Sequence, residues 1–256
     1  MNPPNFSLAG RVALITGASQ GLGFAIAQAY AASGARVIVN GRDPGRVELA
    51  VRRLQEQGLR ASPLVLDIGD LQAQQAAFEQ VCETAGAPDI LVNNVGIRIR
   101  KALADISLDE ICELIRVDLV AATHLSKLAA ARMVADGAQG RIITLTSIAD
   151  RVARPGDAVY PIAKHGLAGL VKALAVEYGP HAITSNGIAP GTFATETNAE
   201  LASDPVRGPA VVGRNPLGRW GLPGEITGAA VFLASDAASY VNGHILVVDG
   251  GFSVAF

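Results

Sequence analysis

Thr16-Gly17-Ala18-Ser19-Gln20-Gly21-Leu22-Gly23 begins at the end of the apolar run Val12–Thr16 and leads into a helical stretch over Gly21–Ser33. The order strand, glycine-rich turn, helix N-terminus decides the fold. Unpaired N–H groups at a helix start, with the positive end of the helix dipole, make a site for an anion such as a pyrophosphate. Gly17 permits the tight turn, Gly21 lets backbone approach the phosphate, and Gly23 lets the helix pack closely on the strand. The plainer alternative is an ordinary glycine-rich strand-to-helix turn, against which the first-strand position argues.

Outward from this turn the same rhythm repeats. Short β-branched and apolar runs occur at Val12–Thr16, Arg36–Asn40, Ala61–Leu66, Ile90–Val92, Arg141–Thr146, Ile183–Ile188 and His244–Val248. Helical stretches lie between them, near Gly21–Ser33, Pro44–Gln57, Leu71–Thr84, Ser107–Met133, Ala158–Tyr178 and Pro223–Ala234. Gly34, Gly58 and the pair Gly179-Pro180 close three of these helices. Consecutive apolar positions are the mark of strands buried on both faces. Strands alternating with helices predict an α/β chain, a single Rossmann-type domain over 1–256 with a doubly wound parallel sheet of about seven strands and helices on both faces. Ala189–Leu222 breaks the rhythm. It is rich in Pro and Gly without a period, which predicts a substrate lid loop at about 189–222.

Composition excludes several classes. Of 256 residues, 50% are apolar and 17% charged, the reverse of a disordered chain. The net charge of −2 leaves no broad basic footprint for nucleic acid or an anionic membrane. With 28 glycines and 5% aromatics, the chain is suited to tight turns and not to base-stacking platforms. Mean hydropathy is mildly positive, yet no run approaches the roughly 18 apolar residues of a spanning helix. Met1–Arg11 lacks the basic and apolar regions of a signal peptide. Cys82 and Cys112 are too few for a disulfide framework and read as small apolar residues. These features predict a cytoplasmic protein. His124, His165, His181 and His244 lie on separate elements without ligand spacing, so no metal is expected, and Trp220 reads as a packing residue under the lid.

The turn spacing resembles the TGxxxGxG of the short-chain dehydrogenase/reductase family, and further matches follow in order. Asn93-Asn94-Val95-Gly96 ends the fourth strand, like the family's NNAG. Ser147 ends the fifth, and Tyr160-Pro161-Ile162-Ala163-Lys164 follows thirteen residues later, like its YxxxK. Pro190-Gly191 with Thr195 is similar to PGxxxT, and Val248-Asp249-Gly250-Gly251 to VDGG. The resemblance covers nearly the whole chain. It implies nicotinamide cofactor contacts at Gly17, Ser19, Gln20, Gly21, Leu22, Gly23, Asp67, Ile68, Asn93, Gly96, Tyr160, Lys164, Pro190, Gly191 and Thr195. Among these, Asp67 matches the residue that bonds the adenine amino group, Asn93 lies beside the adenosine, and Lys164 bonds the nicotinamide ribose. It further implies a homotetramer built through the helices at Ser107–Met133 and Ala158–Tyr178 and the C-terminal strand.

Tyr160 and Lys164 stand four apart, on one face of a helix. An ammonium beside a phenol favours the phenolate, the more so in a dry cleft. Tyr160 is then the acid that protonates a ketone oxygen as hydride arrives, and the base in reverse. Ser147 holds the carbonyl and stabilises its developing charge. A surface Tyr/Lys pair with a strand-end Ser would explain the trio taken alone; the glycine turn and NNVG argue against that. Where the family usually has an Asn that fixes a water in the proton relay, this chain has Asp118. An ionised carboxylate accepts hydrogen bonds but donates none, so Asp118 either serves the relay through water or is structural.

NAD-preferring members carry an acidic residue at the end of the second strand. This chain has Asn40-Gly41-Arg42 there, and Arg42 is placed to pair with a 2′-phosphate, or is simply solvated. Gln20 stands where many NADP enzymes have a second basic residue. NADP(H) is therefore preferred, with NAD(H) admitted. Arg98, Arg100 and Lys101 follow NNVG, and Arg151 and Arg154 lie between Ser147 and Tyr160. Solvation accounts for most such residues, but arginines around one cleft favour a carboxylate or phosphate on the substrate. Arg100, Asp118 and Arg154 resemble the gluconate 5-dehydrogenase branch, implying a keto sugar acid held by Arg100, Arg154 and Ser147. Broad carbonyl reduction and 3-oxoacyl-[acyl-carrier-protein] reduction are the competing enzyme readings. A non-catalytic NADP-sensing regulator is the reading from another class, and a sensor has no need of Ser147, Tyr160 and Lys164.

Overall fold

A computed structural model describes residues 4–255 of the chain. The domain expectation over 1–256 and the reading of Met1–Arg11 extend to residues 1–3 and 256, which lie outside the described residues. In chain order the elements are β1 (Val12–Ile15), α1 (Gly21–Ala32), β2 (Arg36–Gly41), α2 (Pro44–Gln55), β3 (Ala61–Val65), α3 (Leu71–Thr84) and β4 (Ile90–Asn93). Then come α4 (Leu108–Ile115), α5 (Ala121–Ala135), β5 (Arg141–Leu145), α6 (Val159–Tyr178), β6 (Thr184–Pro190), α7 (Ala199–Ser203), α8 (Arg207–Val211), α9 (Thr227–Ala234) and β7 (Ile245–Val248).

All seven strands are parallel in one sheet, ordered β3-β2-β1-β4-β5-β6-β7. The period-2 alternation of each strand divides its side chains between two cores. Ala13, Ile15, Val37, Val39, Ile90 and Val92 pack on one face with α1, α2 and α9. Leu14, Ile38, Leu91 and Ile142 pack on the other with α3, α5 and α6. Burial on both faces is why these strands read as continuous apolar runs. The two edge strands are the exceptions: β3 carries Pro63 and a half-exposed Val65, and every residue of β7 is only partly buried. Connections turn in opposite directions from β1 and β4, which are neighbours, so a crevice opens at their carboxyl ends.

Two stretches differ from the sequence expectation. The helix expected over Ser107–Met133 is interrupted by a π-turn at Arg116–Val120. The wider turn carries Asp118 fully buried, its Oδ1 accepting the Ile97 N–H at 2.6 Å. Such π-turns concentrate where a helix must aim one side chain out of its regular register. The segment expected as an aperiodic lid begins within a strand, β6 running to Pro190, and contains α7 and α8. Trp220 lies within it, its indole N–H donating to the Gly208 carbonyl at 3.1 Å.

Candidate active site

The glycine turn sits at the end of β1 against the ends of β2 and β4. Gly17 and Gly21 both adopt left-handed backbone, φ +60° and +61°. A Cβ on Gly23 would lie 2.5 Å from both the Gly17 carbonyl and Asn94 Nδ2, so no side chain fits. The turn is stitched by two asparagines. Asn94 donates to the carbonyls of Thr16 and Gly17 at 2.9 and 3.2 Å. Buried Asn40 donates to Leu64 and Leu66 and accepts from the Gly17 N–H. Ser19 lies against Gly41 at the end of β2, and Leu22 packs into the core below.

This turn fits an anion. Gln20 gives α1 no side-chain cap; instead the Glu196 carboxylate, from the segment after β6, accepts the Gly21 N–H at 2.9 Å. An acidic oxygen thus already occupies the position at which a phosphate oxygen is expected. Thr195 lies beside it, its methyl 3.7 Å from where a Gly21 Cβ would be. Pro190 pairs in register with Val248, and Gly191 is required by the close approach of Asp249. Asp67 caps the turn after β3, its Oδ1 accepting the Gly69 N–H at 2.8 Å, with Ile68 buried beside it. Asn93 turns away from the crevice: its amide donates to Ser126 Oγ at 2.8 Å within the core. A contact from Asn93 to a bound nucleotide would have to come from its backbone.

Arg42 is exposed at the mouth of the crevice beyond β2. Sequence reasoning missed a second cation there. Arg46, in the first turn of α2, reaches the glycine turn and donates to Gln20 Oε1 at 3.3 Å. Asp43 caps α2 by accepting the Arg46 N–H, which sets that direction. The available signal was Asp43-Pro44 as a helix start, which puts Arg46 three residues in, beside the turn.

At the other end of the crevice, Tyr160 and Lys164 share one face of α6. Lys164 is buried, with Nζ 5.2 Å from the Tyr160 ring centroid and 3.2 Å from Asp118 Oδ2. Burial pushes the Asp118 carboxyl above the usual carboxylate range, and the Lys164 ammonium and Ile97 N–H offset this only in part. Gly96 makes room for the pair, since a Cβ there would sit 2.9 Å from Asp118 Oδ2 and 3.0 Å from Lys164 Nζ. Ser147 lies two residues beyond β5, and its Oγ accepts the Ala149 N–H at 3.1 Å, leaving the hydroxyl proton to donate elsewhere.

Three of the five basic residues expected around the site gather there, while Arg151 pairs with Asp150 and Lys101 with Glu110 outside the recess. Arg98, Arg100 and Arg154 line one recess with Thr192 and Trp220. Arg98 and Arg154 also line its continuation, with Ser147, Asp157 and Gly191. Burial, together with repulsion from Arg98 and Arg154, lowers the Arg100 guanidinium below the usual arginine range. Asp157, buried and absent from the sequence reading, bridges Arg98 and Arg154. Arg214 lines the same recess from the segment after β6. Among the described residues no cluster of three potential metal ligands occurs, and no helix is long and apolar enough to cross a membrane.

Residues 17–253 match the family model described as enoyl-(acyl carrier protein) reductase. The chain is 38% identical to the gluconate 5-dehydrogenase of Gluconobacter oxydans, over 99% of each chain. It is 38% identical to the 5-keto-D-gluconate 5-reductase of Escherichia coli, over 98% of each. The crystal structure of a gluconate 5-dehydrogenase from Burkholderia cenocepacia in complex with NADP and tartrate superposes with a TM-score of 0.93, at 37% identity over 99% of each chain.

Proposed function

Because the chain belongs to the short-chain dehydrogenase/reductase family, we propose that it interconverts a secondary alcohol and a ketone on a sugar acid, gluconate and 5-ketogluconate being the first candidates, with NADP(H) preferred. It is an oxidoreductase acting on CH–OH groups. One observation carries the reading: the Tyr160 ring lies against buried Lys164 and against Arg98, and Arg98 lines a recess together with Ser147, Arg154 and Arg214. When bound, the nicotinamide cofactor supplies or accepts the hydride.

The side chains then have separate tasks. Ser147 donates to the carbonyl oxygen, where negative charge develops. Tyr160 passes its proton to that oxygen in reduction and takes it back in oxidation. Lys164 favours the phenolate left behind. Asp118 holds Lys164 and the Ile97 backbone in place and is the acceptor through which a relayed proton would pass. Arg100 and Arg154 pair with the substrate carboxylate. The glycine turn and Thr195 receive the pyrophosphate once Glu196 yields the Gly21 N–H, and Arg42 with Arg46 supports a 2′-phosphate over a bare ribose.

A carrier-linked 3-oxoacyl substrate is the second reading, favoured by the same arginine recess, which would suit an acidic carrier. The test is a panel of 5-ketogluconate, uncharged aryl ketones and carrier-linked 3-oxoacyl groups with NADPH and NADH, read by reduced-nicotinamide absorbance. Turnover of 5-ketogluconate supports the sugar-acid reading, and turnover only of uncharged or carrier-linked ketones refutes it. Tyr160→Phe is expected to lower kcat by about 10²–10⁴-fold while leaving cofactor binding intact. A homotetramer is part of the proposal, supported by the exposed apolar Val120, Ile162 and Val176 on the π-turn and α6. A cytoplasmic location accords with the two free cysteines.

A further inference from the structure

Tyr160 lies under two cations, only one of which belongs to its own helix. The Arg98 guanidinium carbon sits 4.6 Å from the Tyr160 ring centroid, nearer than the 5.2 Å of Lys164 Nζ. Both distances are within the range in which a cation is attracted to an aromatic face. Arg98 comes from the loop after β4, and its side chain is only about one-third exposed, at 35%. What holds it is Asp157, three residues before Tyr160 and 2% exposed, whose Oδ2 pairs with Arg98 and takes Arg154 at 3.5 Å. The other oxygen of Asp157 is buried without a hydrogen bond. A buried carboxylate with one orphaned oxygen is costly and stays in place when the charges it holds are held for something.

The charge balance at Lys164 supplies the reason. Asp118 places a buried carboxylate 3.2 Å from that ammonium, so part of the lysine's field is spent before it reaches the ring. We propose that Arg98 is a positioning residue for Tyr160: clamped by Asp157 against the ring face, it orients the phenol and restores the positive field that Asp118 subtracts. The proposal rests on the reading of Tyr160 as proton donor. In reduction a bound nicotinamide would supply the hydride for the new C–H bond and be left oxidised, while the carbonyl π pair moves to oxygen and the Tyr160 O–H bond breaks to give that oxygen its proton. The phenolate that remains then faces Arg98 and Lys164 together. The charged groups around it are Lys164 from α6, Arg98 and Arg100 from the loop after β4, Asp118 behind Lys164, and Asp157 with Arg154 before α6.

The experiment compares Arg98→Met, Arg98→Lys, Asp157→Asn and Arg154→Met in the full-length enzyme, measuring kcat and KM against pH and NADPH binding by fluorescence. Arg98→Met is expected to lower kcat about three- to tenfold and to move the Tyr160-governed limb of the rate profile upward by about half to one pH unit. Arg98→Lys recovers part of both, and Asp157→Asn lowers kcat because the guanidinium is no longer clamped, but without the upward shift, since a negative charge has been removed from beside the ring. Arg154→Met, which touches the same carboxylate but not the ring, changes KM and leaves the profile in place. If Arg98→Met raises KM alone with the profile unmoved, Arg98 contacts substrate and the proposal is overturned. No change in either quantity also overturns it. Tyr160→Phe run alongside separates the two ideas: an inactive Tyr160→Phe with an unmoved Arg98→Met profile sinks only this inference, whereas an active Tyr160→Phe sinks the proton-donor reading beneath it.

Discussion

At the β1–α1 end of the crevice the anion site is made of backbone, whereas at the α6 end every group aimed at the reaction is a side chain. Gly17, Gly21 and Gly23 shape the first end, and uncharged amides of Asn40 and Asn94 hold it. The second end is assembled from four separated pieces of chain and held by ion pairs, Lys164 with Asp118 and Arg98 with Asp157. The two ends should therefore fail in different ways. A backbone site fails when an atom is added to it, because closely packed groups have nowhere to go. An ion-paired site fails when a charge is removed or titrated.

Gly23→Ala is the strongest test of that contrast. The new methyl would meet the Gly17 carbonyl and the Asn94 amide at 2.5 Å, and backbone cannot retreat as a side chain would. The expected cost is about 1–3 kcal/mol of stability. A displaced turn should also weaken NADPH binding by about ten- to a hundredfold, read by urea unfolding and fluorescence titration. Unchanged binding would mean that the turn does not receive the cofactor. Next in size are Arg42→Ala and Arg46→Ala, which put charge into the backbone end. Each should weaken NADPH about tenfold while leaving NADH nearly unaffected, the loss expected for one charge-assisted contact to a phosphate. An equal loss for both cofactors would assign these arginines to packing.

The same contrast explains what could be read in the sequence. The sheet was legible because burial on both faces forces consecutive apolar residues into strands such as Arg36–Gly41, and the glycine turn because only glycine tolerates its backbone. The π-turn at Arg116–Val120 was not, since nothing in the spacing of Ile115, Val117 and Leu119 separates it from a continuous helix. Arg100 and Arg154 were visible as cations near the reactive tyrosine, but Asp157 was not, because its role depends on being buried between its neighbour Arg154 and Arg98 from another loop. Asn93 and Arg46 err in opposite directions: one motif residue turns into the core, and one residue outside any motif reaches the turn.

Asp118→Asn sharpens the comparison at the ion-paired end through pH. Burial raises the carboxyl, so between the ordinary carboxylate range and the raised folded value the folded chain holds a proton there that the unfolded chain has released. Stability at this site is thus fullest below the ordinary carboxylate range and is lost as pH rises through the raised folded value. The amide cannot titrate, so this component of the slope should vanish from urea midpoints measured between about pH 4 and 8. A slope identical to the parent's would show that Asp118 does not ionise across that range.

The smallest expected effect belongs to the carboxylate that sits on the glycine turn itself. Glu196 binds the Gly21 N–H and must leave before a phosphate can take that donor. The hydrogen bond is exposed, so its loss costs little, and the carboxylate would otherwise stand as a like charge beside the arriving anion. Glu196→Gln keeps the size and an accepting oxygen but removes the charge. It should tighten NADPH binding by about two- to fivefold, because one like charge is removed from beside the arriving anion. Weaker binding in Glu196→Gln would mean that the carboxylate positions the segment after β6 for the cofactor, and the two ends would then be joined through that segment instead of working apart.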